Sequence, residues 1–349
     1  MAQKQSKSFF ASAINNLLGF LEKVVNRFTN NVLGKKLGFG GTVHQNAPAP
    51  GSKTKALQSS TFDPVTFNQD ITKHVNDKGL DTFFPSDSPF LKTVINRATT
   101  LAEKGDSALA GPEYLPGLTQ LSLYQHIFFC GLTHTAKDNS GSMKKGARID
   151  SMIDIIGRLT DITTRLIPDN EGVEIRFLNS GPKEQALYKK YSTITTAMDA
   201  GNMLTEADYG GVTRLGTVLR AEVLKPYIYD VLETGSGRLK RPLLISIITD
   251  GCPYGEGTDE LYKAIIECKT KLKGKGIDEQ VVKFQISQIG DDEAANAFLG
   301  RLANDPGIKD YIYVTTGRLD EEFNKLYEND DGLEIWFHKI LMGPVLQQP

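Results

Sequence analysis

Cysteine is scarce in this chain: Cys130, Cys252 and Cys268 are the only three in 349 residues. An odd trio without paired spacing excludes a disulfide framework and a zinc knuckle, and suits free thiols in a reducing compartment. Cys252, close behind Asp250, reads as a buried structural thiol or as a redox-sensitive neighbour of that carboxylate. The five histidines, His44, His74, His126, His134 and His338, are scattered without ligand spacing, so they read as ordinary surface or internally satisfied residues. Neither G-x-x-x-x-G-K-[ST] nor a post-strand G-x-G-x-x-G occurs, which removes the usual nucleotide-binding fingerprints. Forty basic against 42 acidic residues leave a formal charge of −2, and nucleic acid is therefore not an expected partner. Glu22, Lys23 and Arg27 interrupt the apolar N-terminal segment, so neither a membrane span nor a secretory signal is expected there.

What is present divides the chain into zones. In residues 1–37, Phe10, Ile14, Leu17, Leu18, Leu21, Val24, Val25, Phe28 and Val32 recur at three- and four-residue steps, an amphipathic helical stripe. Six basic side chains there (Lys4, Lys7, Lys23, Arg27, Lys35, Lys36) face one acid, Glu22. Two readings fit: residues 6–36 lie on an anionic membrane surface, or the helix docks on the domain or on a partner helix. Residues 38–60, punctuated by Gly40-Gly41 and Pro48-Ala49-Pro50-Gly51, read as a flexible linker. Residues 61–120 read as a prelude of short helices packed on the core. Ser88-Pro89 starts one of them, and Pro112, Pro116 and Gly117 close the zone.

From residue 121 onward, strand and helix patterns alternate. Strands are expected near 124–130, 173–178, 243–249, 281–289 and 311–315, and helices over Ala147–Ile167, Leu215–Leu232, Thr258–Leu272 and Asp292–Leu302. Alternation of this kind predicts an α/β, doubly wound, mostly parallel sheet flanked by helices, here with an N-terminal helical extension. In such sheets ligands sit at the carboxyl ends of strands. Asp291-Asp292 reads as helix N-terminal acid, the lysines around 269–275 as a solvated face, and residues 342–349 as a tail.

The chemistry-bearing pattern is dispersed. Asp138, Ser140 and Ser142 alternate within Asp138-Asn139-Ser140-Gly141-Ser142, Thr213 follows Gly210-Gly211-Val212, and Asp250 ends the apolar run Leu243–Thr249. Taken alone, Asp138–Ser142 also suits an N-cap turn. Hydroxyl and carboxylate oxygens in combination suit a small hard cation such as Mg²⁺ or Mn²⁺. Neutral hydroxyls close to the metal, with carboxylates further out, leave it electrophilic enough to accept an acidic side chain.

The order D-x-S-x-S … T … D resembles the metal-ion-dependent adhesion site of the von Willebrand factor A family. The resemblance extends over about residues 121–341 and looks closest to intracellular fungal members. It rests also on Leu121-Ser122-Leu123-Tyr124-Gln125, Val173–Ser180 and Phe284–Asp292. It implies Ser140, Ser142 and Thr213 as direct or near-direct ligands, with Asp138 and Asp250 acting largely through water. One departure stands out: the family's first strand runs straight into the first aspartate, whereas here Gly131–Lys137 intervenes. Either the strand extends through this stretch or a short insertion separates strand from metal loop.

The expected function is a divalent-cation-dependent module that binds a protein offering Asp or Glu. The expected setting is cytoplasmic, with the N-terminal helix as a route to a membrane. One alternative is a metal-dependent hydrolase or phosphotransferase, which finds no histidine or lysine placed as a general base. Another is a metal-free scaffold acting through the N-terminal helix.

Overall fold

The run Leu243-Leu244-Ile245-Ser246-Ile247-Ile248-Thr249 is buried at every position, as a continuous apolar stretch requires when both faces of a strand are covered. It is the middle strand of a five-stranded sheet in a computed structural model that describes residues 62–131, 142–234 and 237–347, the side chains of 142–147 excepted. The strands are β1 (Gln125–Gly131), β2 (Glu174–Phe177), β3 (Leu243–Thr249), β4 (Val282–Gln288) and β5 (Ile312–Val314). They lie in the order β2-β1-β3-β4-β5, and every pairing is parallel. This is the doubly wound α/β arrangement that alternation predicts. The N-terminal segment and the linker, residues 1–60, lie outside the described residues.

Side-chain alternation splits the core. Phe128 and Cys130 on β1 face one layer with Ile175, Phe177, Leu244 and Ile248. Ile127 and Phe129 face the other with Ile245, Ile247, Phe284 and Ile286. Burial of each such side chain is worth roughly 1.5–3 kcal/mol, and the two layers clamp the sheet from both sides.

The first layer is covered by α1 (Pro64–Asp77), α2 (Pro89–Lys104), α3 (Leu115–Leu121), α4 (Ser142–Thr164), α5 (Pro182–Lys190) and α6 (Ala197–Glu206). The helix α2 opens as its sequence indicates: Ser88 accepts a hydrogen bond from the Leu91 amide at 3.4 Å, and Pro89 follows it. The second layer is covered by a segment in three parts. These are α7 (Leu215–Val218), a π-helical stretch over Leu219–Tyr229 that contains Pro226, and α8 (Asp230–Thr234). Next to it lie α9 (Glu260–Gly274) and α10 (Glu293–Asn304). The chain then returns to the first layer through α11 (Leu319–Lys325) and α12 (Asp330–Leu346).

Several expectations need correction. The helix expected from Ala147 already begins at Ser142 and runs through Gly146, the residue that argues locally against it. Pro116 and Gly117 do not close the prelude; they form the first turn of α3, where a proline is tolerated. The stretch expected as a tail from 342 is helical to Leu346, with Met342 and Val345 buried. Lys269 is not on a solvated face. It is 2% exposed, and its ammonium donates to the carbonyls of Glu279 (2.7 Å) and Val282, while Lys271, Lys273 and Lys275 are exposed as expected.

Nor are all the histidines satisfied. His126 and His338 are buried, His126 Nδ1 has no partner, and neither ring nitrogen of His338 has one. Cys130 and Cys268 are buried and Cys252 is half-buried, all three as free thiols. Among the described residues, no helix is long and apolar enough to cross a membrane.

Candidate functional site

The strand order reverses direction at β1: the chain passes from β1 outward to β2, then returns to place β3 on the other side of β1. The carboxyl ends of β1 and β3 therefore bound a topological switch point, where this class of sheet leaves a crevice. The two strands end level there. Gly131 is in register with Thr249, and the Asp250 amide donates to the Gly131 carbonyl at 3.2 Å. Asp250 is thus fixed at the rim of the sheet by the pairing of the two central strands, with 8% of its surface exposed.

Thr213 reaches the same rim by a different route. Its loop follows α6 and precedes α7, and Gly211 takes φ 107° there, a conformation that costs glycine little. The Tyr254 amide donates to the Thr213 carbonyl at 3.0 Å, which ties this loop to the one following Asp250. Glu256 adds a second tie, accepting from the amides of Gly216 (2.8 Å) and Thr217 (2.9 Å) and from the Thr217 hydroxyl (2.8 Å). It caps α7 and holds the two loops as one piece. A side chain at Gly216 would run into the Glu260 backbone, so α7 and α9 approach as closely as glycine permits. Thr213 is 4% exposed and held from both sides.

Asp138 and Ser140 lie outside the described residues, as does the question of what separates Gly131 from Asp138. Ser142 is described only in its backbone, where it opens α4. Among the residues described in full, Thr213 and Asp250 belong to two loops that hydrogen bonds join, one contributing a hydroxyl and the other a carboxylate. Both donors are oxygen, the choice of a hard divalent cation. Among the described residues no group of three or more His, Cys, Asp or Glu side chains is arranged to hold a metal.

Beside the Thr213 loop lies a cleft of about 670 Å³ between the end of β2, the Gly210-Gly211 turn and α7. Leu178, Asn179, Glu184, Tyr209, Arg214 and Glu222 are among the residues lining it. The Glu184 carboxylate, 4% exposed, is held by the amides of Gly181 (2.9 Å) and Asp208 (3.1 Å). Burial pushes the Tyr209 phenol upward in pKa, and its hydroxyl donates to the Leu204 carbonyl at 2.6 Å. Burial also pushes the Cys130 thiol, next to the end of β1, up to about 12, so it is no nucleophile. The parts played by Asn179, Arg214 and Glu256 are not legible in the sequence. Their only signal is position, in or beside the two glycine-rich loops.

Comparison with known proteins adds little to this geometry. No family model matches the chain, and no curated protein does. Among solved structures, proximal thread matrix protein 1 from the mussel byssus is 16% identical over 60% of this chain and 48% of its own, with a TM-score of 0.35. The chain therefore spans about half the length of that protein.

Proposed function

We propose that the chain is a divalent-cation-dependent protein-binding module, consistent with the resemblance of its D-x-S-x-S … T … D pattern to the von Willebrand factor A family. The supporting observation is the joining of the Thr213 loop to the loop after Asp250 at the switch point, through the Tyr254–Thr213 hydrogen bond of 3.0 Å. Two of the pattern's residues, 37 positions apart in the chain, thereby stand in or beside loops that a hydrogen bond joins. Thr213 and Asp250, with Asp138, Ser140 and Ser142 from the preceding loop, would hold Mg²⁺ or Mn²⁺. The cation, when bound, accepts a carboxylate from an Asp or Glu of the partner. Thr213 and Asp250 are both buried, at 4% and 8% exposure. Three unpaired thiols support a reducing, cytoplasmic setting.

A ligand that binds only the folded state raises its stability. Millimolar Mn²⁺ or Mg²⁺ should therefore raise the melting temperature of the full chain, and Asp250→Ala should remove that rise while the unliganded protein still melts cooperatively. An unchanged melting temperature in the wild type sinks the proposal.

A further inference from the structure

Among the described residues two histidines are buried, and both lie against the same short helix of the prelude, α3. His126, at the start of β1, places Nε2 3.0 Å from the Leu121 carbonyl at the end of that helix. His338 of α12 packs so closely on Gly117 that an added Cβ there would stand 2.8 Å from its Nε2. Gly117 and Leu121 are one helical turn apart, on one face of α3. Neither ring is provided for as a cation: His126 Nδ1 has no partner, and neither nitrogen of His338 has one.

The surroundings of the two rings offer a proton little. The helix α3, Leu-Pro-Gly-Leu-Thr-Gln-Leu, carries no ionisable side chain. Around His126, Arg241 opposes a second positive charge, and the strand register places Lys283 two strands away, where its ammonium donates to Gln280 at 2.6 Å. The Phe128 ring stacks on His126 at 6.5 Å, and Tyr114 stands edge-on to His338 at 5.8 Å. Beside His338, Lys339 opposes a charge and Glu334 favours one. Glu334 is already engaged, however, by Arg165, the Ser107 hydroxyl and the Ala108 amide, and Asp330 pairs with Arg158 of α4 at 2.7 Å.

We infer that α3 is a proton-sensitive latch, closed only while His126 and His338 are both neutral, and that acid releases α1, α2 and α3 from the sheet ahead of the strands. These three helices pack on one another, so the lifting of α3 frees them as a unit. In the closed state a proton on either ring is a buried cation without an acceptor. Once α3 lifts, both rings meet water and titrate at the ordinary value of about 6.5. Burial holds both at about 4 in the closed state. The open state thus binds more protons, so the latch is at full strength above about pH 6.5 and weakens as pH falls toward 4. Between about pH 7.5 and pH 5 each histidine raises the opening equilibrium about 30-fold, and the two together about 1,000-fold. Neither residue belongs to the cation-binding pattern, so the latch stands apart from the cation proposal.

The test is native-state amide hydrogen exchange on the full chain over that pH range, read by mass spectrometry and corrected for the pH dependence of intrinsic exchange. Amides of α2 and α3 are compared with those of β3. The expected result is that α2 and α3 open about 1,000-fold more often at about pH 5 than at about pH 7.5, with a slope approaching two protons per opening. The strand β3 should remain better protected than the prelude throughout. His338→Leu removes a ring that makes no hydrogen bond and should halve the slope, as should His126→Gln, and the double variant should be nearly flat. Should His338→Leu fail to fold, His338→Gln takes its place, and the wild-type slope decides without any variant. The latch is overturned by a wild-type slope of one proton or less, by prelude and β3 amides exchanging at one common rate, or by a single variant that keeps the wild-type slope.

Discussion

The two ends of the sheet treat charge in opposite ways. At the amino ends of the strands, charged groups are buried with partners, although Arg241 Nε has none and neither does the nearby His126 Nδ1. Arg241 is 3% exposed, gives one nitrogen to the Tyr124 carbonyl and another to Glu171, both at 3.2 Å, and stacks over the Phe90 ring at 4.7 Å. Lys269 is buried between two carbonyls with its ammonium 5.4 Å from the Phe284 ring, and burial lowers it to about 8. At the carboxyl ends, Arg214 is exposed and unpaired among the described residues, and an amide nitrogen is buried without an acceptor. One end spends its polar groups on holding the prelude and helices to the sheet. The other keeps some of them available, which is where recognition can be built at the expense of stability.

The contrast can be broken most directly by exchanging arginines for alanine at the two ends. Arg241→Ala removes the buried guanidinium from Glu171, which keeps Lys240 as a partner, and from the Tyr124 carbonyl, and should cost about 1.5–3 kcal/mol in urea denaturation. Arg214→Ala should stay within about 0.5 kcal/mol, as an exposed change does. Equal losses would erase the distinction.

Acid offers the next test. Burial pushes His126, at the start of β1, down to about 4, with the Leu121 carbonyl opposing and Arg241 acting in the same direction as burial. The unfolded chain binds this proton more readily than the folded one, so stability is full above about pH 6.5 and is withdrawn as pH falls toward 4. The loss from this residue should be on the order of 2 kcal/mol at pH 4. His126→Gln, which retains a donor for the Leu121 carbonyl (3.0 Å in the native contact), should flatten that part of the pH–stability curve. An unchanged slope would place the acid sensitivity elsewhere.

Smaller effects are expected at the carboxyl end. Gly211→Ala forces an L side chain to adopt φ 107° and to approach Asn179, and should cost about 1–2 kcal/mol. Thr213→Ala should cost less than about 1 kcal/mol, because the carbonyl that anchors Tyr254 is retained. It should nevertheless abolish the Mn²⁺-induced rise in melting temperature, a loss measurable by calorimetric scans with and without the ion.

The sheet was legible because its strands announce themselves. Leu243–Thr249 is apolar at nearly every position and is bounded by Pro242 and Gly251, and no helix of that length would need burial all round. The helix α12 escaped notice for a related reason. Leu333, Ile335, Trp336, Phe337, Ile340 and Leu341 leave it little polar face, so no stripe appears, and Gly343-Pro344 reads as an end. Lys269 was misread through its neighbours: Lys271, Lys273 and Lys275 are solvated, whereas the spacing Leu261, Ile265, Cys268, Leu272 turns position 269 inward. At the candidate site, oxygen chemistry marked Thr213 and Asp250, both of which the fold carries to the rim. Arg214 and Asn179 left no trace, because an arginine after a threonine and an asparagine after a strand are ordinary.

The bond between the Asp250 amide and the Gly131 carbonyl also bears on how this chain can change over generations. It ties the backbone of Asp250 to the ladder of β1 and β3. The Asp250 amide and the Gly131 carbonyl that make this bond both lie outside the connection between Gly131 and Ser142, so a change in its length removes neither partner. Connections at sheet rims tolerate such changes of length well. One half of the rim is thus inherited as a block held by backbone pairing, in which point substitutions of side chains leave the anchoring bond intact.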